Sequence, residues 1–462
     1  MFNKLWRRKR GLAAVVAIAG ASSIGIGMSV PAGASTVPAG NTVLNEGGSQ
    51  TIYSTMQELS DLYNSAPGCQ LVTASSSNQE LNYACASAAQ AAPGLEEGYT
   101  LSYAPLNPYN DIVYQEPPLG SSNGIKALEL QGADTPAAAP DNLIAANSFA
   151  RSSRGISGDK SGLNFVAFAQ DGVSWFHFTK VKNKSTPSAA VSNLSVAQLT
   201  DIWTGVDTNW NQVGGSNAPI DVYSAQCGSG TESTWATLLG LPSSGPSSCP
   251  NFQGVIDTAN RYSQPVANFT IFENEVSDIF SNAANDAADA IFFFSYGKFT
   301  ILCPGKPGKL VCTGTPAADP KTYSAIGSIG GVAPSKASIT SVPPTFPGYR
   351  ELYNVYSDGF NANLPANSQA VMNFVSTYGF LCNPSTYSDV DPLSPTNATY
   401  GSEIDAIIGN NGFFPFPKGT EGDAAITTPP SFTDPGYAAA SPTPAGDQGY
   451  CRVTSTDGNG NN

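Results

Sequence analysis

The residues in this sequence best suited to do chemistry are hydroxyl side chains placed in glycine-rich turns. The clearest turn is Gly228-Ser-Gly-Thr231, which follows a strand-like run and precedes a helix-like run. Such a turn presents backbone N–H groups and two hydroxyls at a helix N-terminus, where partial positive charge favours an anion. Ser229 and Glu232 also have the spacing of a capping box, and because capping boxes are common, this turn alone favours an ordinary capped helix.

Two further turns of the same composition lie earlier in the chain. They are Gly48-Ser-Gln-Thr51 and Gly120-Ser-Ser-Asn-Gly124, and each precedes a helix-like run with an apolar stripe. Open α/β sheets bind ligands at the carboxyl ends of their strands, where such turns would meet. Three turns of one chemistry therefore predict an oxyanion-binding cleft, which a single turn would not.

The elements that must position these turns alternate between strand-like and helix-like segments, which predicts an α/β fold. Helices are expected after each turn and over 194–203, with Ser195 as N-cap. The β-forming run 163–178 is expected to break at Asp171-Gly172. Further strands are expected at 112–115, 220–224, 290–296 and 352–356.

The first 34 residues predict a secretory signal peptide. Five basic residues precede the apolar segment Gly11–Met28, and Ala32-Gly-Ala34 resembles a cleavage site, so we expect cleavage after Ala34. A transmembrane anchor is the alternative, although glycine and serine dilute the apolar part. The sequence has no cysteine beside the cleavage site, so we expect a secreted protein without a lipid anchor.

The formal net charge of the protein narrows the range of macromolecules that it could bind. Removing the signal peptide lowers the formal net charge from −14 to −19, because the peptide carries five basic and no acidic residues. A nucleic acid or an anionic membrane requires a basic surface, so we expect neither as a partner.

All eight cysteines follow the signal peptide, an even number that is typical of disulfides in an exported protein. None has the CxxC spacing of a zinc site, and we expect no metal. Many pairings are possible, and we adopt pairing between sequence neighbours: Cys69–Cys85, Cys227–Cys249, Cys303–Cys312 and Cys382–Cys451.

The order of the motifs resembles the solute-binding proteins of ABC-type phosphate transporters, over roughly residues 45–416. The motifs that carry the resemblance are Gly48-Ser-Gln-Thr51, Ser121-Ser-Asn-Gly124, Ser148-Phe-Ala-Arg-Ser-Ser153, the run from Leu194 through Ile202-Trp-Thr-Gly205 to Trp210, Gly228-Ser-Gly-Thr231, Gly330-Gly-Val-Ala-Pro334 and Gly412-Phe-Phe-Pro415.

The resemblance implies a two-lobed periplasmic-binding-protein-like fold of type II, with the ligand in the cleft between the lobes. The two strands that cross between the lobes are expected near 165–176 and 348–356. Lobe one would then comprise 35–172 and 352–462, with a mobile Pro/Gly/Ser-rich tail from about residue 418, and lobe two 173–351. The implied function is capture of an oxyanion, above all phosphate, for an ABC permease, by a monomer without cofactor or catalysis.

The resemblance also implies which residues hold the oxyanion: Gln50, Thr51, Ile52, Ser121, Ser122, Arg151, Ser152, Ser153, Ser229, Gly230 and Thr231. The charged part of the family site is absent. Ala225 and Cys227 replace the family's arginine and aspartate before the third turn, and Ser153 aligns with a second aspartate. Arg151 or Arg154 is the candidate replacement cation, and the ligand could be phosphate, another oxyanion or an anionic organic molecule.

Two other functions compete with oxyanion transport. A Ser-His-Asp enzyme would have to use His177, the sole histidine, which lies in an aromatic strand and is expected to be packed rather than catalytic. The other is a cell-surface interaction protein with the same fold that has lost phosphate specificity. The lost charges favour this alternative, and the three intact turns oppose it.

Overall fold

The structure is a computed structural model. It describes residues 43–65, 69–74, 81–85, 112–118, 120–130, 148–159, 162–225, 228–241, 267–271, 273–274, 286–302, 310–311, 322–357, 371, 374–376, 379–382, 387, 389–391, 394–416 and 451–455. The predicted signal peptide, residues 418–450 and 456–462 of the predicted tail, and Cys227, Cys249, Cys303 and Cys312 lie outside the described residues.

The described residues contain helices of four to thirteen residues. The helices are α1 (Tyr53–Ser65), α2 (Ser121–Leu130), α3 (Val196–Thr204), α4 (Gly230–Leu239), α5 (Tyr296–Leu302), α6 (Lys336–Ile339) and α7 (Tyr400–Asn410). Two 3-10 helices cover Trp210–Val213 and Asp286–Ala288. Within the described part of the chain, none of these helices has the length and apolar composition needed to cross a bilayer.

The strands range from two residues to nineteen. They are β1 (Val43–Gly48), β2 (Cys69–Ala74), β3 (Leu81–Cys85), β4 (Ile112–Pro118), β5 (Phe149–Ser152), β6 (Leu163–Val181), β7 (Lys184–Ser185), β8 (Asn193–Leu194), β9 (Asp221–Ala225), β10 (Ala267–Ile271), β11 (Ala290–Ser295), β12 (Leu310–Val311), β13 (Tyr323–Ile326), β14 (Ser328–Ile329), β15 (Tyr349–Ser357), β16 (Phe414–Pro415) and β17 (Arg452–Ser455).

Eight strands form the main path of one large sheet, in the order β10-β9-β11-β6-β15-β5-β1-β4. Towards one edge β1 pairs in parallel with β4 and β5, and towards the other β9 pairs in parallel with β10 and β11. At the centre β6 and β15 are antiparallel, with Tyr349 opposite Gly172. Beyond Gly172, β6 pairs with β11 and β13, so this one long strand belongs to both halves of the sheet. The predicted α/β class is confirmed.

Buried apolar side chains form two large clusters, one on each half of the sheet, and a smaller third cluster that includes Ile125, Phe165 and Val355. The first core is drawn from residues 44–169 and 352–451 and includes Ile52 and Tyr63. The second core is drawn from residues 173–346 and includes Trp203 and Trp235, whose rings lie 5.1 Å apart in an edge-to-face arrangement. Edge-to-face packing of large aromatic rings adds to the stabilisation from burial. Helix α1 packs into the first core and α4 into the second.

Two of the predicted helix starts are confirmed. Ser195 is the N-cap of α3, and its hydroxyl accepts a hydrogen bond from Gln198 N in a complete capping box. Ser229 is the N-cap of α4 and accepts from Glu232 N at 3.1 Å. Both serines satisfy an N–H group that a helix N-terminus would otherwise leave without a partner.

The predicted break at Asp171-Gly172 is wrong, because β6 runs through both residues. Gly172 keeps its place in the ladder opposite Tyr349. The Asp171 carboxylate is buried, and Arg350 from the neighbouring strand donates two hydrogen bonds to it. Burying an unpaired carboxylate in a strand would be costly. Here Arg350, which is 179 residues away in the sequence, pairs with the Asp171 carboxylate and offsets that cost.

A disulfide joins Cys382 and Cys451, whose Cα atoms are 5.3 Å apart and whose positions differ by 69 residues. Both cysteines are buried in the first core, and the bond anchors β17, which pairs with β6. Cys69 and Cys85 occupy opposite positions of the antiparallel pair β2 and β3. Of the four predicted pairs, Cys382–Cys451 is present as a disulfide, whereas Cys69–Cys85 stays a prediction with which the strand register is compatible.

Candidate functional site

The first turn, residues 48–52, connects β1 to α1. Gly48 has φ +130°, and an added Cβ would lie 2.3 Å from the Arg151 carbonyl oxygen, so only glycine allows this close approach. Thr51 is fully buried and directs its N–H and hydroxyl into the protein. The neighbouring Gln50 side chain is half-buried, and Ile52 extends into the first core.

The second turn, residues 120–122, opens α2. Gly120 N donates to Gly48 O at 2.9 Å, which holds the second turn against the first. The Ser121 hydroxyl accepts from Ser153 N at 2.9 Å and lies 3.2 Å from Ser153 Oγ. The Ser122 hydroxyl instead accepts a hydrogen bond from the Arg154 guanidinium at 2.9 Å, so it is engaged with that side chain.

The third turn, residues 228–231, opens α4 and lies against the other two. Ser122 N donates to Gly228 O at 3.0 Å. A Cβ on Gly230 would lie 2.2 Å from Ser121 Oγ and 2.5 Å from Ser153 Oγ, so the absence of a side chain lets α4 approach the second turn. The Thr231 hydroxyl lies 2.9 Å from the Thr51 hydroxyl. The three predicted turns therefore converge on one place.

A carboxylate occupies this place. Glu273, which follows β10, is fully buried, and its Oε1 accepts from Thr51 N at 2.9 Å and from Thr51 Oγ1 at 3.0 Å. Its Oε2 accepts from the Ser229 hydroxyl and from Thr231 N at 3.4 Å. Two helix N-termini and two hydroxyls thus hold one anion, and that anion belongs to the chain itself.

The cation that contacts the third turn is a residue that the sequence did not suggest. Arg350 on β15 is buried and donates to Thr231 Oγ1 at 2.9 Å and to Ser153 O at 3.2 Å. Its Nε and Nη2 atoms both donate to Asp171 Oδ2, at 3.0 and 2.7 Å. Arg350 therefore couples the third turn to the central strands, and its charge is shared with a buried carboxylate.

The two predicted replacement cations are engaged with other partners. Arg151 is fully buried, donates to Ser49 O at 3.2 Å, and lies 3.7 Å from the Glu46 carboxylate. Arg154 forms a bidentate ion pair with Asp159, with both N···O distances 2.8 Å. These arginines brace the segment that carries Ser153.

Ser153 and Ser152 differ in their surroundings. Ser49 Oγ donates to Ser153 Oγ at 3.0 Å, so Ser153 links the first turn to the second. The Ser152 hydroxyl is engaged with the Arg154 backbone, donating to its carbonyl at 2.7 Å. Of this pair, Ser153 lies with the converging turns.

Lys298 is a further buried cation, and its charge interacts with that of Glu273. Lys298 in α5 donates from Nζ to Ser54 Oγ at 2.8 Å and lies over the Phe413 ring. Burial lowers the pKa of Lys298 to about 8, although the charges of Asp171, Glu58 and Glu273 act in the opposite direction. Lys298 therefore remains mainly protonated at neutral pH.

The sequence does not reveal Glu273 or Arg350 as site residues, because neither lies in a recognisable motif. Glu273 is 222 residues from Thr51, and Arg350 is 119 residues from Thr231. One available signal was the position of Glu273 just after β10, since the carboxyl ends of parallel strands gather at one edge of a sheet.

The chemistry of this arrangement is that of anion binding. His177, the histidine an enzyme would need, is buried in the sheet, and its Nδ1 lies 2.8 Å from Ser188 Oγ. Burial lowers the pKa of His177 to about 3, so the imidazole is neutral at physiological pH. Among the described residues, no group of three His, Cys, Asp or Glu side chains could hold a metal ion.

Comparison with known proteins bears on the first half of the chain. Residues 39–261 match the family model of the PBP superfamily domain. This part of the chain is therefore similar to PBP superfamily domains. The match includes all three turns but ends before Glu273 and Arg350.

The protein is also similar to solved structures at low identity. One is an ABC-type phosphate transport receptor from Vibrio cholerae, with 17% identity over 80% of this chain and 99% of the other, and a TM-score of 0.42. Another is a putative phosphate ABC transporter substrate-binding protein with bound phosphate from Clostridium perfringens. It has 17% identity over 81% of this chain and 100% of the other, and a TM-score of 0.43.

Proposed function

We propose that this protein is a secreted solute-binding protein that captures a small oxyanion, with phosphate the foremost candidate, where the three turns meet. The observation that carries the proposal is the set of groups that donate to Glu273. Two backbone N–H groups and two hydroxyls, from Thr51, Ser229 and Thr231, already hold a carboxylate there. Charge-assisted hydrogen bonds of this type contribute roughly 1.5–3 kcal/mol each, so they can hold an anion without a dedicated cation.

The proposed export, delivery to a permease and monomeric state rest on the amino-acid sequence. The signal peptide is removed after Ala34, the mature protein carries no lipid anchor, and it delivers its ligand to an ABC permease as a monomer. We place the ligand between two lobes, 35–172 with 352–462 and 173–351. This division is supported by the first core being drawn from 44–169 and 352–451 and the second from 173–346. The protein performs no catalysis and needs no cofactor.

The family's charged residues are missing from this site, which affects the expected affinity and specificity. Ala225 stands where the family has an arginine, and Arg350, the guanidinium in contact with Thr231, is shared with Asp171. Affinity should therefore depend on hydroxyls and N–H groups. Because Ser153 stands where the family has a carboxylate, that position no longer repels a fully ionised anion, so sulfate and dianionic phosphate should both be accepted.

One observation favours a second candidate function. A site in which the chain's own carboxylate is bound also fits a cell-surface interaction protein that has kept the fold and lost its free ligand. In that case Glu273 would be a permanent structural substitute for phosphate.

Calorimetry with phosphate and with sulfate, each at two pH values, tests the proposal. We expect both anions to bind, and Thr231→Val to weaken binding by about tenfold or more, since it removes one charge-assisted hydrogen bond. Thr237→Val is the matched control, because Thr237 lies on the exposed side of the same helix and donates to Ser233 O. If neither anion binds at millimolar concentration, to Glu273 variants included, the interaction-protein alternative replaces this proposal.

A further inference from the structure

We propose that the Glu273 carboxylate is an internal ligand of the oxyanion site, so that free oxyanion binds only in competition with it. This inference rests on the proposed function and adds a residue that sets the affinity of the site. It would make the protein a receptor whose binding site is occupied by its own chain until an external anion displaces Glu273.

Each oxygen of the Glu273 carboxylate accepts hydrogen bonds from a different turn. Oε1 takes the N–H and hydroxyl of Thr51 from the first turn, and Oε2 takes the Ser229 hydroxyl and the Thr231 N–H from the third. A bound oxyanion would have to use the same groups, because they are the N–H and hydroxyl donors that converge there. Glu273 therefore stands in for two oxygens of a phosphate or sulfate.

Glu273 and an external anion cannot share these donors. A backbone N–H has one hydrogen, and those of Thr51 and Thr231 are already directed at Glu273. The site is also closed around the carboxylate, since Thr51, Ser229 and Glu273 each have no exposed surface. Two anions in contact in such a place would repel each other strongly.

The turn that carries Glu273 is itself fastened at the site. Asn274 Nδ2 donates to Thr51 Oγ1 at 3.0 Å, and Asn274 Oδ1 accepts from Ser295 N at 2.9 Å. Asn274 adopts the left-handed conformation, with φ +60°, which asparagine tolerates better than most residues. The backbone here is thus fixed so that the carboxylate lies between the turns.

Occupation by Glu273 links the two halves of the molecule. Thr51 precedes α1, which packs in the first core, whereas Ser229 and Thr231 open α4, which packs in the second. The carboxylate therefore bridges the same elements that an external anion would bridge. A site that is filled by Glu273 nine-tenths of the time binds its ligand about tenfold more weakly than the empty site.

The experiment compares phosphate and sulfate affinities, by calorimetry, of the full mature protein and three variants. Glu273→Ala empties the site, Glu273→Gln removes the charge while keeping the shape, and Glu403→Gln is a control that neutralises a buried carboxylate in α7. We expect phosphate and sulfate to bind Glu273→Ala about tenfold or more tightly than the unmodified protein. Glu273→Gln should be intermediate, because its amide oxygen can still accept from Thr51. The control should be unchanged.

Thermal unfolding with added formate is the second measurement. Formate is a free carboxylate small enough to replace the missing group, so it should raise the unfolding midpoint of Glu273→Ala and leave the unmodified protein unaffected. This measurement needs no binding of phosphate, and Glu273→Gln can be tested for folding in the same way if the alanine variant is unstable.

The outcomes separate this inference from the proposed function. If the unmodified protein binds phosphate as tightly as Glu273→Ala, or more tightly, self-occupation is wrong and the proposed function stands. If no variant binds phosphate or sulfate but formate rescues Glu273→Ala, the proposed function fails and Glu273 remains an internal ligand. Absence of both anion binding and formate rescue overturns both.

Discussion

At the scale of single residues, the contact between Arg350 and Asp171 joins the candidate site to the central strands. Both side chains are buried, with N···O distances of 2.7 and 3.0 Å. Removing one partner of a buried ion pair leaves an uncompensated charge, which costs far more than losing an exposed pair.

Arg350→Ala should therefore lower the free energy of unfolding by about 3–5 kcal/mol. Lys126→Ala is the comparison, because its pair with Glu129 is partly exposed and contributes roughly 0–1 kcal/mol. Urea unfolding of both variants measures the difference. Equal effects of the two substitutions would contradict the assignment of Arg350 to a buried network.

His177 gives a prediction about pH. Burial lowers the pKa of His177 to about 3, below its ordinary value of 6.5, so the unfolded chain takes up the proton first as the pH falls. The stability that comes from the neutral imidazole is complete above pH 6.5 and is lost as the pH falls from 6.5 towards 3. The loss at pH 5 should be about 2 kcal/mol.

The measurement is simple because the sequence has one histidine. Its imidazole NMR signal should not titrate between neutral pH and pH 5 in the folded protein. A titration with an ordinary midpoint near 6.5 would show that His177 is accessible to water, contrary to its burial.

Single residues also mark the limit of what the sequence could predict at the site. Thr51, Ser121, Ser229 and Thr231 were predictable because glycine turns before helices have a local signature. Glu273 was not, since its role depends on a contact that only the folded sheet creates. The cation assignment pointed to Arg151 or Arg154 for the same reason, although Arg350 is the guanidinium in contact with Thr231.

At the scale of elements, the decisive contact is the approach of α4 to the second turn. Gly230→Ala should separate them, because the new Cβ would lie 2.2 Å from Ser121 Oγ and 2.5 Å from Ser153 Oγ. We expect it to weaken phosphate binding by at least about tenfold, or to lower the free energy of unfolding by roughly 1–3 kcal/mol.

Gly409→Ala is the matched control for this prediction. Gly409 lies in α7 and has no atom within 4 Å of an added Cβ, so alanine there should stabilise the helix by about 0.5–1 kcal/mol. Calorimetry and urea unfolding distinguish the two. If both glycine substitutions behave alike, the close packing of α4 against the second turn is not what shapes the site.

Elements were predicted well where the pattern was local and poorly where pairing decided the outcome. Helices α3 and α4 begin at the serines that the capping pattern indicated. By contrast, β6 continues through Asp171 and Gly172, because β15 supplies both the ladder partner and the arginine that satisfies the carboxylate. A one-dimensional pattern does not contain that partner.

At the scale of the whole molecule, the Cys382–Cys451 disulfide links distant parts of the chain within the first core. Replacing both cysteines by alanine should lower the free energy of unfolding by about 2–5 kcal/mol, mainly because the unfolded chain becomes less constrained. Anion affinity should be unchanged, because in the described part of the chain the two cysteines contact each other and Leu381 O rather than the three turns. A large loss of affinity with unchanged stability would contradict this division of roles.

The claim on which the whole account depends is that three turns, distant in sequence, form one anion site now held by Glu273. The most direct measurement is a crystal structure of Glu273→Ala soaked with selenate, whose selenium can be located by anomalous scattering. We predict a peak at the former carboxylate position, within hydrogen-bond distance of Thr51 N, Ser229 Oγ and Thr231 N. A well-occupied selenate elsewhere in the molecule, with none between the turns, would contradict the account.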